Sequence, residues 1–142
     1  MTINDYMTRS MCRRFEWGTF DCCIYAAGAI EIATGENPMA KCPTYNDEVS
    51  ASIILSEYFN SNNVRDIFLK LTDAYDAHKV ELHEAQNGDL VCIKWPDVFT
   101  KGGTLDQSVG MGVFYNNQVL ACSASGLISV PSTHRIIDIW RF

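Results

Sequence analysis

Hydrophobic and polar positions change rhythm about half-way along the chain. From residue 22 to residue 33 nearly every position is apolar, and Glu31 is the only charge. Asp21 before this run is a good N-cap and Gly35 after it a good C-terminal stop, which predicts a helix over 22–34. A helix apolar on every side is buried on every side, so this is the expected central helix. A second helix is expected from the Asn46-Asp47-Glu48 stretch to just before Asn60, with Val49, Ile53, Ile54 and Leu55 as its apolar face. A third starts from Asn63 as N-cap: Val64, Ile67, Phe68, Leu71 and Tyr75 fall at i, i+3, i+4, i+7 and i+11, the clearest helical period in the chain.

Beyond Val80 the runs shorten. Gln86-Asn87-Gly88-Asp89 reads as a turn, and residues 90–95 as a strand. A loop is expected over 96–106, with Gly102-Gly103 at its most flexible point. Residues 109–115 form the next strand, Asn116-Asn117 a tight turn with positive φ, and 118–122 the return strand. A turn over 123–126, a strand over 127–130 and a closing strand over 136–140 complete the pattern. Helices followed by an antiparallel sheet predict an α+β domain with the helices on one side of the sheet.

Composition narrows the partners. A chain of 142 residues suits one domain, 1–142. The net charge of −6, with Lys and Arg scattered, argues against nucleic acid or anionic lipid as a ligand. No apolar run approaches the roughly 20 residues of a membrane helix. The N-terminal residues lack the basic-then-apolar order of a signal peptide, which predicts folding in a cytoplasm. The six cysteines are Cys12, Cys22, Cys23, Cys42, Cys92 and Cys122. No C-x-x-C pair occurs, and His78, His83 and His134 sit at no ligand spacing. Neither a metal, a cofactor nor a disulfide framework is therefore expected, and most of the cysteines are read as small buried hydrophobes.

The chemistry-bearing feature is Asp21-Cys22 at the head of the buried helix. A helix N-terminus favours a thiolate through its unpaired N–H groups and dipole. Trp17-Gly18 upstream suits a close backbone turn that exposes the first helical residue. On spacing alone, the plainer reading is two core cysteines beside a capping aspartate.

The stretch Trp17-Gly18-Thr19-Phe20-Asp21-Cys22 resembles the nucleophile segment of the NlpC-type, papain-like cell-wall peptidases. Gly88-Asp89-Leu90-Val91, Val109-Gly110-Met111-Gly112-Val113 and residues 123–130 resemble three further segments of that family, in the same order. The Phe15-to-Cys22 form and the Trp140-Arg141 ending most resemble short members encoded among phage tail genes. The resemblance implies a papain-like fold, N-terminal helices on an antiparallel sheet or small barrel, with Cys22 as nucleophile and Asp21 as its helix cap. It departs where it matters most. The family's general base is a His directly before the Val-Gly strand, and here Ser108 stands there. Serine cannot take a proton from a thiol near neutral pH, whereas imidazole can. The chain also continues Cys23-Ile24 where active members have Ser-Gly.

No other histidine matches the motif: His134 lies before the last strand, and His78 and His83 near the join of the two halves. Asp106 is read as a loop carboxylate without a role. Phe15, Trp17, Phe20, Trp95, Phe99, Trp140 and Phe142 are large rings near predicted ends and loops. At least half are expected in the core and the rest at a protein contact, with the loop from Lys94 to Asp106 as the segment to watch. The resemblance thus implies a structural component of a phage tail tip, made in the host cytoplasm and carried in the virion among other tail proteins, its catalytic site decayed. The alternative is an active cysteine peptidase or amidase cutting peptide stems of peptidoglycan. A cytoplasmic assembly factor or toxin on the same fold is a third possibility.

Overall fold

A computed structural model of the chain describes residues 1–95, 108–130 and 135–142. Four helices come first: α1 (Ile3–Met11), α2 (Cys22–Thr34), α3 (Glu48–Phe59) and α4 (Val64–Ala74). Six strands follow: β1 (His78–Val80), β2 (Leu90–Lys94), β3 (Val109–Tyr115), β4 (Gln118–Ser123), β5 (Gly126–Ser129) and β6 (Ile136–Arg141). A short 3₁₀ turn, Leu82–Glu84, joins β1 to β2. The strands form one antiparallel sheet in the order β1-β6-β2-β3-β4-β5. The α+β class is as expected. The sheet is open, with β1 and β5 as its edges, so the small-barrel alternative is corrected.

Local chemistry accounts for most element ends. Asp21 caps α2 by accepting from the Ile24 N–H, and Gly35 ends it with φ +83°. Asn63 caps α4 through the Asp66 N–H. Asn116 and Asn117 turn β3 into β4 with φ of 50° and 61°, values that asparagine tolerates better than most residues. Helix α1 was not foreseen. Its start is fixed by a capping box between Thr2 and Asp5, and it buries only Met7 and Ser10.

Strand alternation sorts the core into two layers. Leu90, Cys92, Met111, Val113, Tyr115, Leu120 and Cys122 face the helices and pack with Tyr25, Ile30, Leu55, Ile67 and Phe68. Val91, Ile93, Phe114, Val119, Ala121 and Ile139 pack with Val80 on the other face. With both faces covered, β2 reads as a nearly unbroken apolar run rather than an alternating one.

Helix α2 lies on β3 and β4. Tyr25, fully buried, reaches across from it, and its hydroxyl donates to the Leu120 carbonyl at 2.9 Å. Tyr6 of α1 donates to the Tyr25 carbonyl at 2.7 Å and lies against Gly28, where any side chain would collide with the phenol ring.

Helix α3 corrects one expectation. Ala51, Ser52 and Leu55 are its buried residues, whereas Val49 and Ile53 face solvent. The aromatic rings pack on the core, as expected for at least half of them. Phe20 is buried, and Phe15, Trp17, Trp140 and Phe142 are half-buried against the helix-facing layer. Trp95 packs on the other layer, with its indole over Gly110. Phe99 and most of the loop containing it lie outside the described residues.

Candidate functional site at the head of helix α2

The approach to α2 is a tight corner. Gly18 has φ +82°, and its α-carbon lies so close to the Tyr45 carbonyl that a side chain has no room. Glu16 and Phe20 bridge across the corner, which turns the chain into the helix. The Asp21 carboxylate sits at its centre, fully buried. One oxygen accepts from the Ile24 N–H at 2.9 Å. The other accepts from the Gly18 N–H at 3.0 Å and the Tyr45 hydroxyl at 2.7 Å. All three donors are neutral. Burial and the Asp21 charge hold the Tyr45 hydroxyl far above its ordinary range, so it stays a donor.

Cys22, the first residue of the helix, is half-buried, whereas Cys23 is buried. Other sulfurs gather round them. Contact with Cys22, then burial, then the Asp21 charge push the Cys23 thiol up. The Cys122 thiol of β4 is also pushed up, first by burial and then by Cys22 and Asp21, with Arg13 opposing. Cys42 is pushed up by burial and Asp21. Arg13 is tethered nearby, donating to the Thr19 carbonyl at 3.2 Å with its guanidinium 4.8 Å from the Phe20 ring centre. Beside the corner opens a cleft of about 400 Å³, lined by Gly18, Ile24, Ala27, Glu31, Met39 and Cys42 among others.

Ser108 is exposed and directly precedes β3, the strand against which α2 packs. Its carbonyl accepts from the Trp95 N–H at 3.0 Å. Val109, next along, lines a second cleft of about 480 Å³ with Arg65 and Asp66 at the start of α4. His78 lies on β1 and His83 in the 3₁₀ turn after it, both exposed. Three strands separate β1 from β4, so these imidazoles belong to the far side of the sheet. His134 and Asp106 lie outside the described residues. Three of the six cysteines, Cys23, Cys92 and Cys122, are buried, fewer than the majority expected.

The sheet holds two more buried carboxylates, each paired with an arginine. Arg141 grips Asp89 with two hydrogen bonds, 2.9 Å from Nε and 2.7 Å from Nη2, and also donates to the Glu84 carbonyl at 3.0 Å. Arg65 donates to Asp138 at 2.8 Å. The strand register places Asp138 beside Cys92, whose thiol is pushed up by burial and then by that carboxylate. These pairs join residues 52 and 73 positions apart, and no local pattern announces them. Tyr45 as the partner of Asp21 was missed for the same reason. Cys122 had a signal: it shares strand parity with Leu120, on the face that meets α2.

Compared with protein-family models, the chain matches that of a domain of unknown function, DUF6950, over residues 1–142. It belongs to the DUF6950 family. No curated protein matches it. In this DUF6950 chain, then, the head of α2 carries a half-buried cysteine, a buried carboxylate held by neutral donors, and a cleft beside them. Among the described residues no three His, Cys, Asp or Glu side chains converge to hold a metal ion, and no helix is long and apolar enough to cross a membrane.

Proposed function

We propose that the chain is a structural component of a phage tail tip, built on an NlpC-type, papain-like scaffold whose catalytic site has decayed. One observation carries the decay: Ser108 stands at the entry of β3, the strand against which the Cys22 helix packs, where the related peptidases carry their imidazole. The groups around the sulfur point the same way. Among the described residues Asp21 has no proton-accepting partner to orient, and its charge favours neutral neighbours, as Cys23, Cys42 and Cys122 illustrate. Loss of a general base removes roughly 10²–10⁴-fold in rate.

The half-exposure of Cys22 favours a second reading, an active cysteine peptidase or amidase acting on peptidoglycan stems. Cys22 Sγ would attack the amide carbonyl, and N–H groups at the helix head would hold the oxyanion. Digestion of purified muropeptides separates the two. The structural reading expects no cleavage, with the protein found in purified virions among other tail proteins. Cleavage by the wild type that Cys22→Ala abolishes would overturn it. Ser108→His tests the decay directly, since a scaffold that lost only its base should regain measurable hydrolysis.

A further inference from the structure

The face of α2 that meets β4 is fixed by a hydrogen bond. Tyr25 donates from the helix to Leu120 on the strand. Cys22 lies three residues before Tyr25, on the same helix face. Cys122 lies two residues beyond Leu120, on the same sheet face. Both cysteines pack into the helix-facing layer. Both steps lead toward the head of α2, because the groups that act on the Cys122 thiol, beyond burial itself, are Cys22, Asp21 and Arg13. They are comparable, about 4.5 Å along the helix and about 6.8 Å along the strand. Cys22 is half-buried and reachable from solvent, whereas Cys122 is buried.

We propose that Cys22 and Cys122 form a reversible disulfide that staples the head of α2 to β4 when the protein meets a low-molecular-weight disulfide. The proposal rests on the same sulfur as the functional reading but needs no hydrolysis. The Cys22 thiolate attacks one sulfur of the small disulfide and expels a thiolate, leaving a mixed disulfide on Cys22. The Cys122 thiol gives up its proton as its sulfur attacks Cys22 Sγ and expels the second small thiolate. The two protons released by Cys22 and Cys122 end on the two small thiols, so two protein thiols are oxidised and one small disulfide is reduced.

Cys23 is excluded as the partner by helix geometry. Adjacent helical residues point about 100° apart, whereas a disulfide needs its β-carbons about 3.5–4.5 Å apart. Burial keeps the Cys122 thiol from solvent and above its ordinary range, so the first exchange falls to Cys22 and the attack by Cys122 is the slower step.

Incubation with oxidised glutathione, acid trapping and peptide mass mapping test this. The expected product is a Cys22–Cys122 cross-link with two hydrogens lost and no glutathione retained. It closes a loop of about 100 residues and so speeds migration on a non-reducing gel. In Cys122→Ala, Cys22 should instead accumulate as the glutathione adduct. A wild-type protein that keeps that adduct with Cys122 free, or that joins Cys22 to Cys12, Cys23 or Cys42, overturns the proposal. The wild-type map decides by itself if Cys122→Ala does not fold.

Discussion

Asp21 and Asp89 are both buried, and both accept a backbone N–H from three residues upstream, Gly18 and Gln86 respectively. They differ in what meets the rest of the carboxylate. Asp89 is clasped by the Arg141 guanidinium, and the pairing in turn raises Arg141 further. Asp21 has the Ile24 N–H and the Tyr45 hydroxyl, which hold its position without cancelling its charge. A guanidinium clasp closes the ends of β2 and β6 as a finished joint. Neutral donors leave a field at the head of α2, and Tyr45, Cys23, Cys42 and Cys122 all respond to it. The same residue type is thus a fastening in one corner and a source of polarisation in the other.

The contrast can be broken by measurement. Asp89→Ala strands the Arg141 charge at the sheet and should cost about 3–5 kcal/mol in urea unfolding. A loss below about 1 kcal/mol would show that the clasp is solvated and the contrast unreal. Tyr45→Phe removes one neutral donor from Asp21 and should cost about 1.5–3 kcal/mol, as a hydrogen bond to a charged group does.

Alkaline pH probes the field itself. An unfolded cysteine loses its proton near pH 8.5, while Cys23, Cys92 and Cys122 keep theirs beyond it because their folded values are raised. The unfolded state then binds fewer protons than the folded one. Stability should therefore be intact below about pH 8.5 and fall above it by about 1.4 kcal/mol per pH unit for each such thiol. A flat profile from pH 8 to pH 10 would contradict the raised values. The smallest effect is expected for Asp21→Asn. Asparagine caps about as well as aspartate, but its amide NH₂ turns toward a donor that the carboxylate accepted from. The substitution should lose about 0.5–1.5 kcal/mol at neutral pH. Its sharper signature is earlier appearance of thiolate absorbance in the folded protein. Unchanged titration would mean that Asp21 does not set the field.

How much of this was legible depended on sequence distance. Helix α4 announced itself because Asn63 and its apolar period are local signals. So did the Asn116-Asn117 turn and the Asp21-to-Gly35 bounds of α2. Helix α3 was found with half its face right: Leu55 is buried and Ile54 packs on the core, whereas Val49 and Ile53 face solvent. Val49, Ile53, Ile54 and Leu55 surround so much of it that period alone cannot choose a face, and the core took Ala51, Ser52 and Leu55. At the site, Asp21, Cys22 and Ser108 were named from motif order. The partners that set their environment, Tyr45 and Cys122, lie 24 residues after Asp21 and 100 after Cys22, and tertiary packing alone brings them in. The open edges of the sheet were hidden for the same reason, since closure depends on how strands far apart in sequence curl together.

The bend at Gly18 has a consequence for substitution tolerance. Its dihedral is one that L-amino acids rarely adopt, and the Tyr45 carbonyl fills the only space where a β-carbon would go. A saturation library at this codon should recover glycine alone among folded clones, even when the selection ignores every activity and scores only solubility.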